Sequence, residues 1–166
     1  MIIAFTGPEE VVEDTLQEEI IRQEVQNLFP LGPTEFVSGA AYGVDTIAAL
    51  AARDGYMDCT HRLVVPNGRH NEDLVAKWEK WADEDALRTD TDARIHLIQR
   101  MPTGTDHLAR NDEMIHLADI LIAFPPTAKE ERRSGTWATI RRARRKGIPI
   151  HFFPLGEDDF WYENAP

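Results

Sequence analysis

Cysteine is almost absent: Cys59 stands alone in 166 residues. That excludes an intrachain disulfide and a thiolate zinc site, and it makes the cytoplasm the expected location. No apolar run approaches the ~20 residues that a membrane-spanning helix needs, so no membrane is expected as a partner. The first residues, MIIAFTGPEE, put no basic stretch ahead of an apolar one, so no secretory leader is expected. Positive charge is in deficit, with 18 basic against 29 acidic residues and a net charge of −11. Non-specific nucleic-acid binding needs a basic surface, so nucleic acid is not an expected partner. No two of the six histidines stand at H-x-x-x-H spacing. No metal site is expected, and no resident cofactor. A nucleophile elbow and a Cys–His catalytic signature are missing as well.

What is present fits a single globular domain. Hydrophobic residues make up 42% and charged residues 28%, enough apolar material for a core without covalent staples. Short apolar runs alternate with helical patterns. Strands are expected at 2–5, 34–38, 63–65, 95–98, 120–124 and 148–153. The first helix is expected to open at Pro8, with Glu9, Glu10, Glu13 and Asp14 favouring its N-terminus and Val12, Leu16, Ile20 and Leu28 as its stripe. Val44, Ile47, Ala48 and Ala51 mark the second helix. Leu74, Val75, Trp78 and Trp81 mark the third, Leu108, Ile115 and Ala118 the fourth, and Trp137, Ile140 and Ala143 the fifth, which stops at Gly147. Strands alternating with helices imply an α/β fold: a Rossmann-like three-layer sandwich, with a mostly parallel sheet of about six strands and helices on both faces. Residues 1–155 form this domain, and 156–166 form an acidic, aromatic tail.

In such sheets ligands bind beyond the carboxyl ends of the strands. Ser38-Gly39-Ala40-Ala41-Tyr42-Gly43-Val44-Asp45 joins the second strand to its helix and leaves backbone amides little covered at a helix N-terminus. That suits a phosphate, although a tight turn with glycines at special φ explains the same residues. Asp45 either complements the helix dipole or holds a ribose hydroxyl or a loop amide. Tyr42 is placed to stack on a base. Gly7, at the turn after the first strand, belongs to the same candidate set. Arg133-Ser134-Gly135-Thr136 opens the last helix in a similar way, with an ordinary Ser134 N-cap as the alternative. Arg110 suits a phosphate or carboxylate, and Asn111 or its neighbour Asp112 falls on a buried stripe, where a polar group needs a partner. Eight basic residues gather at Lys129, Arg132, Arg133, Arg141, Arg142, Arg144, Arg145 and Lys146. They read as a solvated helix face, as an extension of the anion site, or as a partner for the acidic first helix of another subunit. Trp78 and Trp81 serve core or interface packing. A homodimer or larger assembly is expected.

Taken in order, three segments resemble a known superfamily. They are Phe36-Val37-Ser38-Gly39-Ala40-Ala41-Tyr42-Gly43-Val44-Asp45-Thr46-Ile47-Ala48, then Arg110-Asn111 with Ala118-Asp119-Ile120-Leu121-Ile122-Ala123-Phe124-Pro125, then Ser134-Gly135-Thr136 with Lys146-Gly147-Ile148-Pro149. The superfamily is SLOG, the Smf/DprA and LOG Rossmann-like proteins, and the nearest branch is the small YspA/cpYpsA-related one. The resemblance implies a protein that binds a nucleotide or nucleotide-derived small molecule, as a sensor or sequestering module. It offers two alternatives: a phosphoribohydrolase cleaving the N-glycosidic bond of a nucleoside monophosphate, and a DprA-like DNA-processing accessory factor. Against the P-G-G-x-G-T-x-x-E signature of LOG enzymes, Arg132 and Arg133 replace glycines and Thr139 stands where the catalytic Glu would be. If the protein is an enzyme, Arg110 stabilises charge and Glu113 or Asp45 supplies the carboxylate.

Overall fold

A computed structural model describes residues 1–11, 15–56, 58–87 and 95–156. Six strands form one sheet: β1 (Ile2–Thr6), β2 (Glu35–Ser38), β3 (Thr60–Val65), β4 (Ile95–Arg100), β5 (Ile120–Ala123) and β6 (Ile150–Phe152). Their order is β4-β3-β2-β1-β5-β6, and every pairing is parallel. The five α-helices are α1 (Leu16–Gln26), α2 (Val44–Gly55), α3 (Glu72–Ala86), α4 (His107–Leu117) and α5 (Gly135–Lys146). The expected three-layer Rossmann-like α/β sandwich is the fold found.

Burial on both faces explains the apolar strands at the centre. Ile3, Phe5, Phe36, Ile120 and Ile122 face α1 and α2. Ala4, Val37, Val64, Leu121 and Ala123 face α4 and α5. Leu63 and Val65 pack with Leu74, Val75 and Trp78 of α3. The order in which strands are added reverses between β1 and β5, the two central strands from which the chain leads to opposite layers. That is the switch point where a crevice opens.

The first helix departs from the sequence reading. It begins at Leu16, with Thr15 at the N-cap position. Pro8 and Glu9 are not helical, because the Pro8 carbonyl is taken by the Val44 amide at 3.1 Å and the segment lies across Gly43. Ile21 and Val25 form the buried stripe, whereas Leu16 is exposed. Val12, Glu13 and Asp14 lie outside the described residues, as do 157–166 of the expected tail. In α4, Leu108 is exposed and Met114 takes its expected place in the core.

β3 starts three residues earlier than its apolar run. Its polar opening is satisfied across the sheet. Arg62 Nε donates to Glu35 at 2.5 Å and Nη1 to Gln99 at 3.1 Å, while His61 is buried under Phe36 and Trp78 Nε1 donates to its carbonyl. Trp78 is 1% exposed, so it is core of its own subunit and is not available to an interface.

Much of the basic face of α5 is consumed internally. Arg141 and Arg144 pair with Glu130, and Arg142 with Asp112. Lys146 Nζ donates to the carbonyls of Ile115, His116 and Ala118 at 2.7–2.9 Å, so it caps the C-terminal end of α4, where the helix dipole favours a cation. No helix among the described residues is long and apolar enough to cross a membrane.

Candidate functional site

A crevice of about 280 Å³ opens at the carboxyl ends of β1 and β5. Gly7, Asp45, Arg110, Asn111, Ser134, Gly135 and Thr136 line it, so seven of the residues singled out in the sequence converge. They come from the β1 loop, α2, α4 and α5.

The α5 side is open. Ser134 Oγ accepts from Trp137 N at 3.3 Å, an ordinary N-cap. Ahead of it, the first amides of the helix have no acceptor within the helix. A Cβ added at Gly135 would meet nothing within 4 Å, so the backbone there is bare on the crevice side. Asn111 and Thr139 hold this turn in place. Asn111 Nδ2 donates to Thr139 Oγ1 at 2.8 Å, and Thr139 Oγ1 donates to the Gly135 carbonyl at 3.1 Å. Both side chains are buried, and the bond between them ties α4 to α5.

The α2 side is closed. Ser38 Oγ donates to the Asp45 carbonyl at 2.8 Å, and Thr46 Oγ1 to the Ala41 carbonyl at 2.7 Å. The Val44 amide is taken by Pro8, and the Ala41 amide reaches the Asp45 carboxylate at 3.4 Å. Asn71 N donates to the Ala40 carbonyl at 2.8 Å, and Ala40 sits at φ 57 with no exposure. Ser38, Gly39, Ala40, Tyr42 and Gly43 therefore do not line the crevice. They buckle β2 to α2, and in this stretch the Ala41 and Val44 amides are spent on the protein itself. Tyr42 is 43% exposed beside Arg69.

Arg110 lies between the two sides. It is 6% exposed, and its Nη1 donates to the Gly39 carbonyl and, at 3.2 Å, to Asp45 Oδ2. A Cβ on Gly39 would fall 1.9 Å from that nitrogen, so Gly39 is glycine to admit the guanidinium. Arg110 Nε is buried without a partner. Burial pushes the Asp45 carboxyl above its ordinary value. Arg110 and the Ala41 amide pull it down, and Glu9 adds to the rise.

The remaining candidates stand apart. Glu113 accepts from Gln99 Nε2 at 2.7 Å and is outside the crevice lining. Arg133 is exposed and outside the crevice lining. The sequence reading missed Glu9, His107 and Pro126, which do line it. Glu9 was masked by its apparent place at a helix start. His107 was visible only through the rule that every strand-to-helix loop ends at the same edge of the sheet. Among the described residues no group of three or more His, Cys, Asp or Glu side chains could hold a metal ion.

Fold and crevice together define a parallel α/β protein with a crevice at its switch point. No family model and no curated protein sequence matches the chain. Solved structures do. DNA processing protein A (DprA) from Streptococcus pneumoniae matches with a TM-score of 0.66 at 21% identity, over 98% of this chain and 56% of that one. DprA from Helicobacter pylori matches at 0.61 and 22%, over 92% and 64%. The molybdenum cofactor carrier protein from Chlamydomonas reinhardtii matches at 0.58 and 17%, over 99% and 84%. The chain thus shares its fold with these proteins, and it spans less than two thirds of either DprA chain.

Proposed function

We propose that the crevice binds a nucleotide or nucleotide-derived small molecule, with its phosphate at the first turn of α5, and that the protein acts as a sensor or sequestering module. The observation that carries this is the bare α5 N-terminus at Gly135, open on a crevice that Arg110 also lines. Unpaired amides and the helix dipole together favour an anion there. A structural neighbour that carries a molybdenum cofactor supports a small-molecule ligand in this fold. The glycosidic-cleavage alternative is weakened: Glu113 is outside the cleft, Thr139 is locked to Asn111, and Asp45 is paired with Arg110. The Helicobacter pylori neighbour binds single-stranded DNA. For this chain a net charge of −11 opposes that reading.

Native mass spectrometry of freshly purified protein should show a retained nucleotide mass. Calorimetry with nucleoside monophosphates should then show binding that Gly135→Asp weakens about a hundredfold, the loss of roughly 3 kcal/mol of charge-assisted hydrogen bonding. Gly135→Ala, which meets nothing within 4 Å, is the folding control. Equal binding by wild type and Gly135→Asp, or none by wild type, would overturn the reading.

A further inference from the structure

The crevice has a second chamber that the phosphate does not use. The loop after β3 (Pro66, Asn67, Gly68, Arg69) and the loop after β4 (Gly104, Thr105, Asp106) enclose about 420 Å³. This chamber shares Glu9, His107 and Arg110 with the first, so the two adjoin. Together they reach the size of pockets that enclose whole cofactor-sized ligands, about 300–1,000 Å³.

The walls suit a flat ring. Pro66, Gly68 and Gly104 present little side chain, and the His107 imidazole and Arg69 guanidinium are planar groups of the kind on which bases stack. Arg69 has no ion-pair partner among the described residues and lies 5.8 Å from the Tyr42 ring. Two carboxylates, Glu9 and Asp106, supply acceptors beside the donors Arg69 and Arg110 and the mixed groups Asn67, Thr105 and His107. Asp106 is held by the Leu108 and Ala109 amides at 3.0 and 2.9 Å, which keep its carboxyl below the usual range. Glu9 stands at the junction of the chambers, its backbone pinned over Gly43 and its carboxylate without an ion-pair partner among the described residues.

A carboxylate accepts two parallel hydrogen bonds from a ring edge that carries adjacent N–H donors. Guanine has that edge, in its ring N–H and exocyclic amine. Adenine and cytosine place a ring acceptor beside their amine, which a carboxylate repels. We propose that the second chamber is a base subsite selecting a guanine-type nucleotide through Glu9, with the phosphate at α5. The inference rests on the functional reading above and adds the identity of the base.

The test is calorimetry of the whole chain with GMP, IMP, AMP, CMP and inorganic phosphate. GMP should bind at least tenfold more tightly than AMP or CMP, with IMP, which lacks the amine, between them. Glu9→Gln should bring the GMP and AMP affinities together. Gly68→Phe, placed where a Cβ meets nothing within 4 Å, should weaken GMP at least tenfold and leave inorganic phosphate unaffected. Arg69→Ala should weaken every nucleotide in parallel, and thermal melts check that each variant is folded. Equal GMP and AMP affinities in wild type would overturn the base assignment. So would GMP binding that survives Gly68→Phe and Glu9→Gln but is lost in Gly135→Asp, an outcome that leaves the phosphate site standing. Wild type that binds neither phosphate nor any nucleotide overturns both.

Discussion

Arg110→Ala should destabilise the protein by about 3–5 kcal/mol, the range for breaking one side of a buried ion pair. The sequence alone suggested an arginine suited to a phosphate or carboxylate. In the structure Arg110 lines the crevice but is 6% exposed, and its Nη1 donates to both the Gly39 carbonyl and Asp45. Removing it strands a carboxylate and a carbonyl in the interior and leaves a void beside Gly39. Urea denaturation of wild type, Arg110→Ala, Asp45→Asn and the double variant measures the coupling. The double variant should recover part of the loss, since it no longer buries an uncompensated charge. A change below about 1 kcal/mol in Arg110→Ala would show that the pair does not support the fold.

The same pair sets a pH dependence. Burial, the largest influence on Asp45, raises its pKa, and Arg110, the next, lowers it less. The folded carboxyl therefore holds its proton more tightly than the unfolded one. Its contribution to stability is complete below the unfolded value, about 3.9, and is lost as pH rises through the raised folded value. Wild-type stability relative to Asp45→Asn should fall over that interval and level off above it. Denaturation curves at stepped pH read this directly, and a constant difference throughout contradicts it.

Gly43→Ala should also cost about 3 kcal/mol or more, for a backbone reason. Gly43 caps α2 at φ 64 and ψ −125, a region that side chains avoid at roughly 1–2 kcal/mol. An added Cβ would lie 2.4 Å from the Pro8 carbonyl oxygen and 2.6 Å from that of Glu9. It would push away the carbonyl that accepts from Val44, losing about 1 kcal/mol more. Because the displaced segment carries Glu9 and Pro8 into the crevice wall, ligand affinity should fall with stability. Gly135→Ala, with open space around it, should melt like wild type. Equal melting temperatures for Gly43→Ala and wild type would show that the Pro8–Glu9 strap does not hold this turn.

Local pattern and elementary sterics sufficed for the α/β alternation, because each strand and helix must bury a face of its own period. The apolar runs of β1, β2 and β5 and the stripes of α2, α3 and α5 were legible, and so was Gly147, which ends α5 at φ 77. The Ser134-Gly135-Thr136 turn was legible as well, since an N-cap followed by glycine is local chemistry. Three things were not. Pro8 and Glu9 carry helix-start chemistry, but an acceptor for Val44 across the sheet edge holds them outside the helix. Thr60, His61 and Arg62 look polar in sequence and become strand only through Glu35, Gln99 and Trp78. Above all, Gly39, Asp45 and Arg110 form one buried unit across 71 and 65 residues of chain. Composition named them as candidates for a ligand, but only packing decides whether a charge or a bare amide meets solvent or is already answered within the protein. At Gly39 and Asp45 it is answered internally, and at Gly135 it faces the crevice.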